Sequence, residues 1–140
     1  MSGVTAADIR ASKGAIKETE CRERVAQLLK GKVLVGHALS NDLQALLITH
    51  PKNDIRDTAK YRPFQRLVGG TKWRPRKLRD LVQENLDMTI QQEGQAHDST
   101  IDAKATMLLF RSVREEWERE LEEKANLQQK KKKKRKTAVS

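Results

Sequence analysis

The chain has 140 residues, with 29 Lys or Arg against 19 Asp or Glu and a formal net charge of +10. That is the length of one domain. At 36% hydrophobic content and a mean hydropathy of −0.78, its core is expected to be small. No apolar run approaches the ~18 residues of a membrane span, and the opening MSGVTAADIR holds no apolar signal core. The single cysteine, Cys21, rules out an internal disulfide. A soluble intracellular chain with no membrane partner is expected.

In chain order, the first amphipathic pattern covers 16–30, with Ile16, Cys21, Val25, Leu28 and Leu29 at mostly helical spacing. Gly31 is placed to stop it, with Lys30 in the last turn where a cation suits the dipole. Lys32 to Gly36 reads as a short, fully buried strand. Ser40 or Asn41 can cap a helix over Asp42–Ile48 that ends at His50-Pro51. Ile55 to Thr58 is a second short strand, and Arg76–Leu86 shows helical spacing through Leu78, Leu81, Val82 and Leu86.

The final helix carries the longest pattern. Ile101, Ala105, Leu108, Leu109, Val113, Trp117 and Leu121 form one stripe, and Glu115, Glu116, Glu118 and Arg119 the other face. Ser99 fits its N-cap. The run Lys130, Lys131, Lys132, Lys133, Lys134, Arg135 and Lys136 cannot bury its charge. Without its seven charges, 22 Lys and Arg face 19 Asp and Glu, a net +3 for the body. The expected organisation is a partial α/β domain over 1–125 and a disordered lysine-rich tail over 126–140. Two evident strands cannot cover three apolar helical faces, so the chain reads as an N-terminally truncated part of a larger α/β domain.

Two acidic motifs carry the chemistry: GHALSNDLQAL at 36–46, and HDSTIDA at 97–103. Singly, each residue has a structural explanation. Asp42 in a first helical turn favours the positive end of the dipole. Asp102, three residues after Ser99, completes a capping box with Asp in place of Glu. His97 alone is a loop residue. Together, carboxylates at the ends of secondary elements beside an imidazole are what a site needs to hold divalent metal and activate water. Separately, Lys60, Arg62, Arg66, Lys72, Arg74, Arg76, Lys77 and Arg79 follow one another without an intervening acid, interleaved with Tyr61, Phe64 and Trp73. Cations for phosphates and aromatic faces for bases suit single-stranded nucleic acid; a solvated basic loop around Gly69-Gly70 is the other reading.

GHALSNDLQALL and HDSTIDAKATMLLF resemble the second and third motifs of DEDDh 3′–5′ exonucleases of the ribonuclease H-like superfold. With VLVGHA, THPKNDIRDTAKYRPF and LRDLVQENL, the likeness is to the RNA exonuclease 4 group and runs from residue 1 to about 119. The resemblance implies an α/β exonuclease fold with two Mg²⁺ or Mn²⁺ ions held by four carboxylates. It makes Asp42 and Asp102 metal ligands and His97 the general base, a role that near-neutral imidazole titration permits. His37 and Asn41 match no ligand. The implied substrate is the 3′ end of single-stranded RNA, with pre-ribosomal RNA a candidate. The basic run fits a signal for the nuclear import machinery, directing the chain to the nucleus or nucleolus.

One part of the pattern departs. The family's first motif is an Asp-x-Glu on a strand preceding SGVTAADI. The acids before residue 21 are Asp8, Glu18 and Glu20, and Glu18-Thr19-Glu20 lies in the amphipathic pattern. With two of four carboxylates unmatched, this form is expected to be impaired. The rival expectation is a catalytically silent RNA-binding fragment or isoform. A third is a chain too incomplete to fold alone, with β-strand 32–36 left at an open edge and the apolar faces around Val25, Leu28, Leu108 and Leu109 uncovered.

Overall fold

The computed structural model describes the backbone of residues 3–4 and residues 18–91, 94 and 96–139. Ile16, Asp8 and most of the SGVTAADI segment lie outside these. The elements are β1 (Gly3–Val4), α1 (Glu18–Leu29), β2 (Val33–Gly36), α2 (Leu39–Ala45), β3 (Ile55–Asp57), β4 (Arg66–Val68), β5 (Lys72–Arg74), α3 (Leu78–Leu86) and α4 (Ser99–Val139). Short 3-10 turns at Lys52–Asp54 and Arg62–Phe64 join them.

β1, β2 and β3 form a parallel sheet in that order, with Gly3 opposite Val33, and Leu34, Val35 and Gly36 opposite Ile55, Arg56 and Asp57. The expected open edge at β2 is therefore corrected: Gly3–Val4 lies along it. A two-residue strand with no distinguishing side-chain pattern carries no signal of its own. As parallel strands do, β2 is buried on both faces, with Leu34 and Val35 almost inaccessible. Gly36 is required by packing. A Cβ there would lie 2.3 Å from Leu39 Cδ2, so any side chain displaces the leucine that seats α2.

α1 buries Cys21, Val25 and Leu29 against Leu34, Leu39 and Leu46, with Leu43, Ile48 and Ile55 packed around them. Each fully buried leucine contributes about 1.5–3 kcal/mol relative to exposure. Gly31 adopts φ +72°, the left-handed geometry that ends the helix as expected. Leu28, read as a core residue, is 44% exposed. Glu18 and Glu20 begin α1 and are exposed, so their acid-x-acid spacing belongs to a helix surface.

The chain divides into two units, Met1–Phe110 and Arg111–Ser140. In the first, α4 buries Ala103, Ala105, Thr106, Leu109 and Phe110, while Ile101 and Leu108 are exposed. Those two lie a heptad apart on one flank, so the buried stripe is rotated from the expected one. The second unit is the remainder of α4, helical through Val139. The expectation of a disordered tail from 126, with a boundary at 125/126, is corrected. Residues 99–139 contain no Gly or Pro, the tail is built of strong helix formers, and cations at a helix C-terminus complement its dipole. The charge argument itself stands, since 122–139 is exposed throughout.

Candidate active site

In parallel α/β sheets ligands gather beyond the carboxyl ends of the strands, and β2 and β3 end here at Gly36 and Asp57. The chain turns after β2 through Ala38 in the left-handed region, φ 57° and ψ 55°, and enters α2 without a side-chain cap of its own. The cap comes from β3. Asp57 accepts the Ala38 N–H at Oδ1 (2.8 Å), the Leu39 N–H at Oδ2 (3.0 Å) and the Ala59 N–H at Oδ1 (3.0 Å). Asp57 is buried, and these bonds satisfy its charge with backbone dipoles. Ser40 and Asn41, the expected caps, are inside the helix and exposed, and α2 runs three residues earlier than the expected 42–48. Asp57 is the functional-region residue that sequence reasoning missed: the two α2 amides it caps lie 18 and 19 residues away, beyond any local motif.

His37 extends from the same turn. Its Nδ1 shares a 2.8 Å hydrogen bond with the Thr58 hydroxyl, and Thr58 is bonded back to the Gly36 carbonyl through both N–H (2.8 Å) and hydroxyl (3.2 Å). Burial pushes the His37 pKa below its ordinary 6.5, opposed by the Asp57 charge and a hydrogen bond to the Arg76 backbone. The neutral ring ties β2, β3 and the segment leading to α3 together.

The opposite wall is the start of α4. Asp98 Oδ1 accepts the N–H of Thr100 (2.9 Å) and Ile101 (3.3 Å), and its carbonyl accepts the Asp102 N–H (3.0 Å). Asp98 is therefore the cap, one residue before the expected Ser99. With the cap supplied, Asp102 is not the acid of a capping box. Its Oδ1 is buried with no hydrogen-bond partner, an arrangement costing about 1–3 kcal/mol unless a ligand satisfies it.

Between these walls is a pocket of about 470 Å³, lined by Gly36, His37, Lys77, His97, Asp102 and Thr106 among others. His97 and Asp102, five residues apart, are thus brought together, with His97 exposed at the rim. Asp42, one turn into α2 and half-buried, is not among the lining residues. A buried carboxylate oxygen without a partner fits a hard cation such as Mg²⁺ or Mn²⁺. Among the described residues, however, no three of His, Cys, Asp and Glu converge to hold a metal. Asp102 fits as one ligand of a larger set.

The basic segment is more structured than a loop. β4 and β5 pair antiparallel, Arg66 opposite Arg74, Leu67 opposite Trp73, Val68 opposite Lys72. Gly69 and Gly70 turn the chain with φ +62° and +73°. Tyr61 and Phe64 are buried edge to face, their centroids 5.1 Å apart, so neither offers a face to a base. Trp73 is exposed, with the Arg62 guanidinium 4.7 Å over its ring. Lys60, Arg66, Lys72, Arg74 and Lys77 are exposed, and Arg76 is paired with both carboxylate oxygens of Glu84. No described helix is long and apolar enough to cross a membrane.

No protein-family model matches the chain. RNA exonuclease 4 of Aspergillus fumigatus is 52% identical over 101 residues, covering 72% of this chain and 31% of that protein. RNA exonuclease 4 of Mycosarcoma maydis is 46% identical over 118 residues, covering 84% and 30%. The Saccharomyces cerevisiae protein of that name is 43% identical over 107 residues, covering 76% and 36%. The chain thus spans about a third of the length of these relatives. Among solved structures, the Neurospora crassa Pan2 catalytic unit matches with TM-score 0.60 and 25% identity, over 79% of this chain and 17% of that one. The Saccharomyces cerevisiae Pan2 pseudoubiquitin hydrolase-RNA exonuclease module, in complex with AAUUAA RNA, matches with TM-score 0.57 and 34% identity, over 74% and 16%. By these likenesses and by its α/β architecture, the chain belongs to the RNA exonuclease 4-like family and has the ribonuclease H-like exonuclease fold.

Proposed function

We propose that this chain is part of a 3′–5′ exoribonuclease that hydrolyses phosphodiesters at RNA 3′ ends with Mg²⁺ or Mn²⁺, acting in the nucleus on ribosomal RNA precursors. The observation that carries the reading is the unpartnered, buried Asp102 Oδ1 in a pocket shared with His97. Asp102 would hold metal directly, and Asp42 would join from α2 once the ligand set is complete. A divalent ion bound there supplies charge to offset the attacked phosphate and acidifies a water. His97, exposed at the rim, would accept the proton of the attacking water. Lys77 lines the same pocket and would supply positive charge for the scissile phosphate. The lysine run at 130–136 serves nuclear import.

Within these 140 residues two of the four family carboxylates are matched, so the chain assayed alone should be slower than a complete set by roughly 10³–10⁶. The test joins the chain to an Asp-x-Glu strand segment from a relative and follows 3′-labelled single-stranded RNA with added Mn²⁺. Stepwise loss of mononucleotides, abolished by Asp102→Ala and by His97→Ala with RNA binding retained, is the expected result. Undiminished turnover in a folded Asp102→Ala protein overturns the assignment. Retained binding with no turnover in the joined protein favours the silent RNA-binding reading.

A further inference from the structure

The β4–β5 hairpin breaks two rules of hairpin stability at once. All six of its strand residues are exposed, so neither face buries an apolar layer. Isolated two-stranded pairs are marginal in water even with good side-chain pairing. Here Arg66 stands directly opposite Arg74, and like charges in that position destabilise the ladder. Local violations of this kind mark sites where a ligand compensates.

Alternation along the strands sorts the side chains. Leu67 and Trp73 share one face, where Arg62 lies over the indole and pins it. Arg66, Arg74 and Lys72 share the other with Val68. That second face holds three cations, all exposed, and no acid. Arg76, just beyond β5, is instead neutralised by Glu84. The hairpin therefore separates a braced side from an uncompensated cationic one.

We infer that the Arg66–Lys72–Arg74 face of the hairpin is a binding site for the phosphate backbone of single-stranded nucleic acid, with Arg62 and Trp73 bracing it from behind. Phosphates placed along the face cancel the Arg66–Arg74 repulsion, and ligand binding stabilises the hairpin. The inference deepens the proposed function by assigning the substrate's backbone to a defined surface, and its test reads binding in the absence of hydrolysis.

The experiment measures binding of fluorescein-labelled oligouridylate to the full chain by anisotropy, in EDTA, across a salt series. Arg66→Gln/Lys72→Gln/Arg74→Gln should flatten the slope of log K against log salt by about 2, at roughly 0.7 per lost phosphate contact on a single strand. Its melting temperature should not fall, because the repulsion is removed with the charges. A control neutralising exposed Arg24, Lys30 and Lys52 matches the change in net charge and should leave most of the slope intact. An unchanged slope in the hairpin variant, or equal flattening in both, overturns the inference. The reading uses no turnover, so an inactive chain that binds through the hairpin separates this site from the fate of the exonuclease assignment.

Discussion

The pocket and the hairpin belong to the same unit of the chain and are held by opposite means. Around the pocket, polar side chains are tied down by hydrogen bonds: buried Asp57 by three backbone N–H groups, half-buried His37 by the Thr58 hydroxyl, and exposed Asp98 by the first turn of α4. At the hairpin, no strand residue is buried, and order comes from the β4–β5 backbone ladder, two turn glycines and one cation–π pair. The difference teaches where precision is needed. On the proposed reading, the carboxylate and imidazole would need fixed positions to act on one phosphate, whereas the cationic face would track a flexible polyanion without fixed geometry.

The comparison breaks most sharply at Asp57. Asp57→Ala leaves the N–H groups of Ala38, Leu39 and Ala59 without their acceptor, and should cost about 3 kcal/mol or more of folding stability. Thermal or urea unfolding measures this. A loss under 1 kcal/mol, as for an ordinary surface substitution (about 0.5 kcal/mol), would show that the pocket wall is not held this way.

Next comes a pair of neighbours with opposite expected signs. Asp98→Ala removes the cap of α4 and should destabilise by about 0.5–2 kcal/mol. Asp102→Ala removes a buried oxygen with no partner and should leave stability unchanged or raised. Unfolding midpoints of the two variants decide it. A larger loss at Asp102 restores the capping-box explanation.

A smaller effect is read through pH. The folded state holds His37 below 6.5, so between its folded pKa and 6.5 the unfolded chain binds more protons. The stability contributed by the neutral ring is complete above about pH 6.5 and is lost as pH falls through that window. His37→Gln should flatten the pH dependence of unfolding there. A slope unchanged in the variant would assign the window to other groups. The smallest effect is at the hairpin's exit: Glu84→Gln frees the Arg76 guanidinium and should steepen the salt dependence of RNA binding by about 0.7, with little change in melting.

What was legible in the sequence was local. Val33–Val35 announced a buried strand, Gly31 a helix end, and the five-residue spacing of His97 and Asp102 their convergence on one site. What failed depended on partners distant in sequence or on one-residue choices. Asp57 caps α2 from another strand, which no window around Ser40 or Asn41 reveals. Asp98 and Ser99 are both good caps by residue type, and backbone geometry chose between them. The hairpin was hidden because its strands lack apolar alternation, the usual mark of a buried face. In the tail, the charge argument predicted exposure correctly, but helix propensity acts independently of burial and governed the backbone.

The borrowed cap on α2 also orders events in time. Seven residues are too few for a helix to persist by itself in water. Its first two N–H groups find their acceptor only when β3 has docked beside β2. α2, which carries Asp42, is therefore expected to form only with the strand pair, and opening of β3 should release the capped amides of Ala38 and Leu39. In native-state hydrogen exchange, residues 39–45 and 55–57 should open as a single cooperative unit.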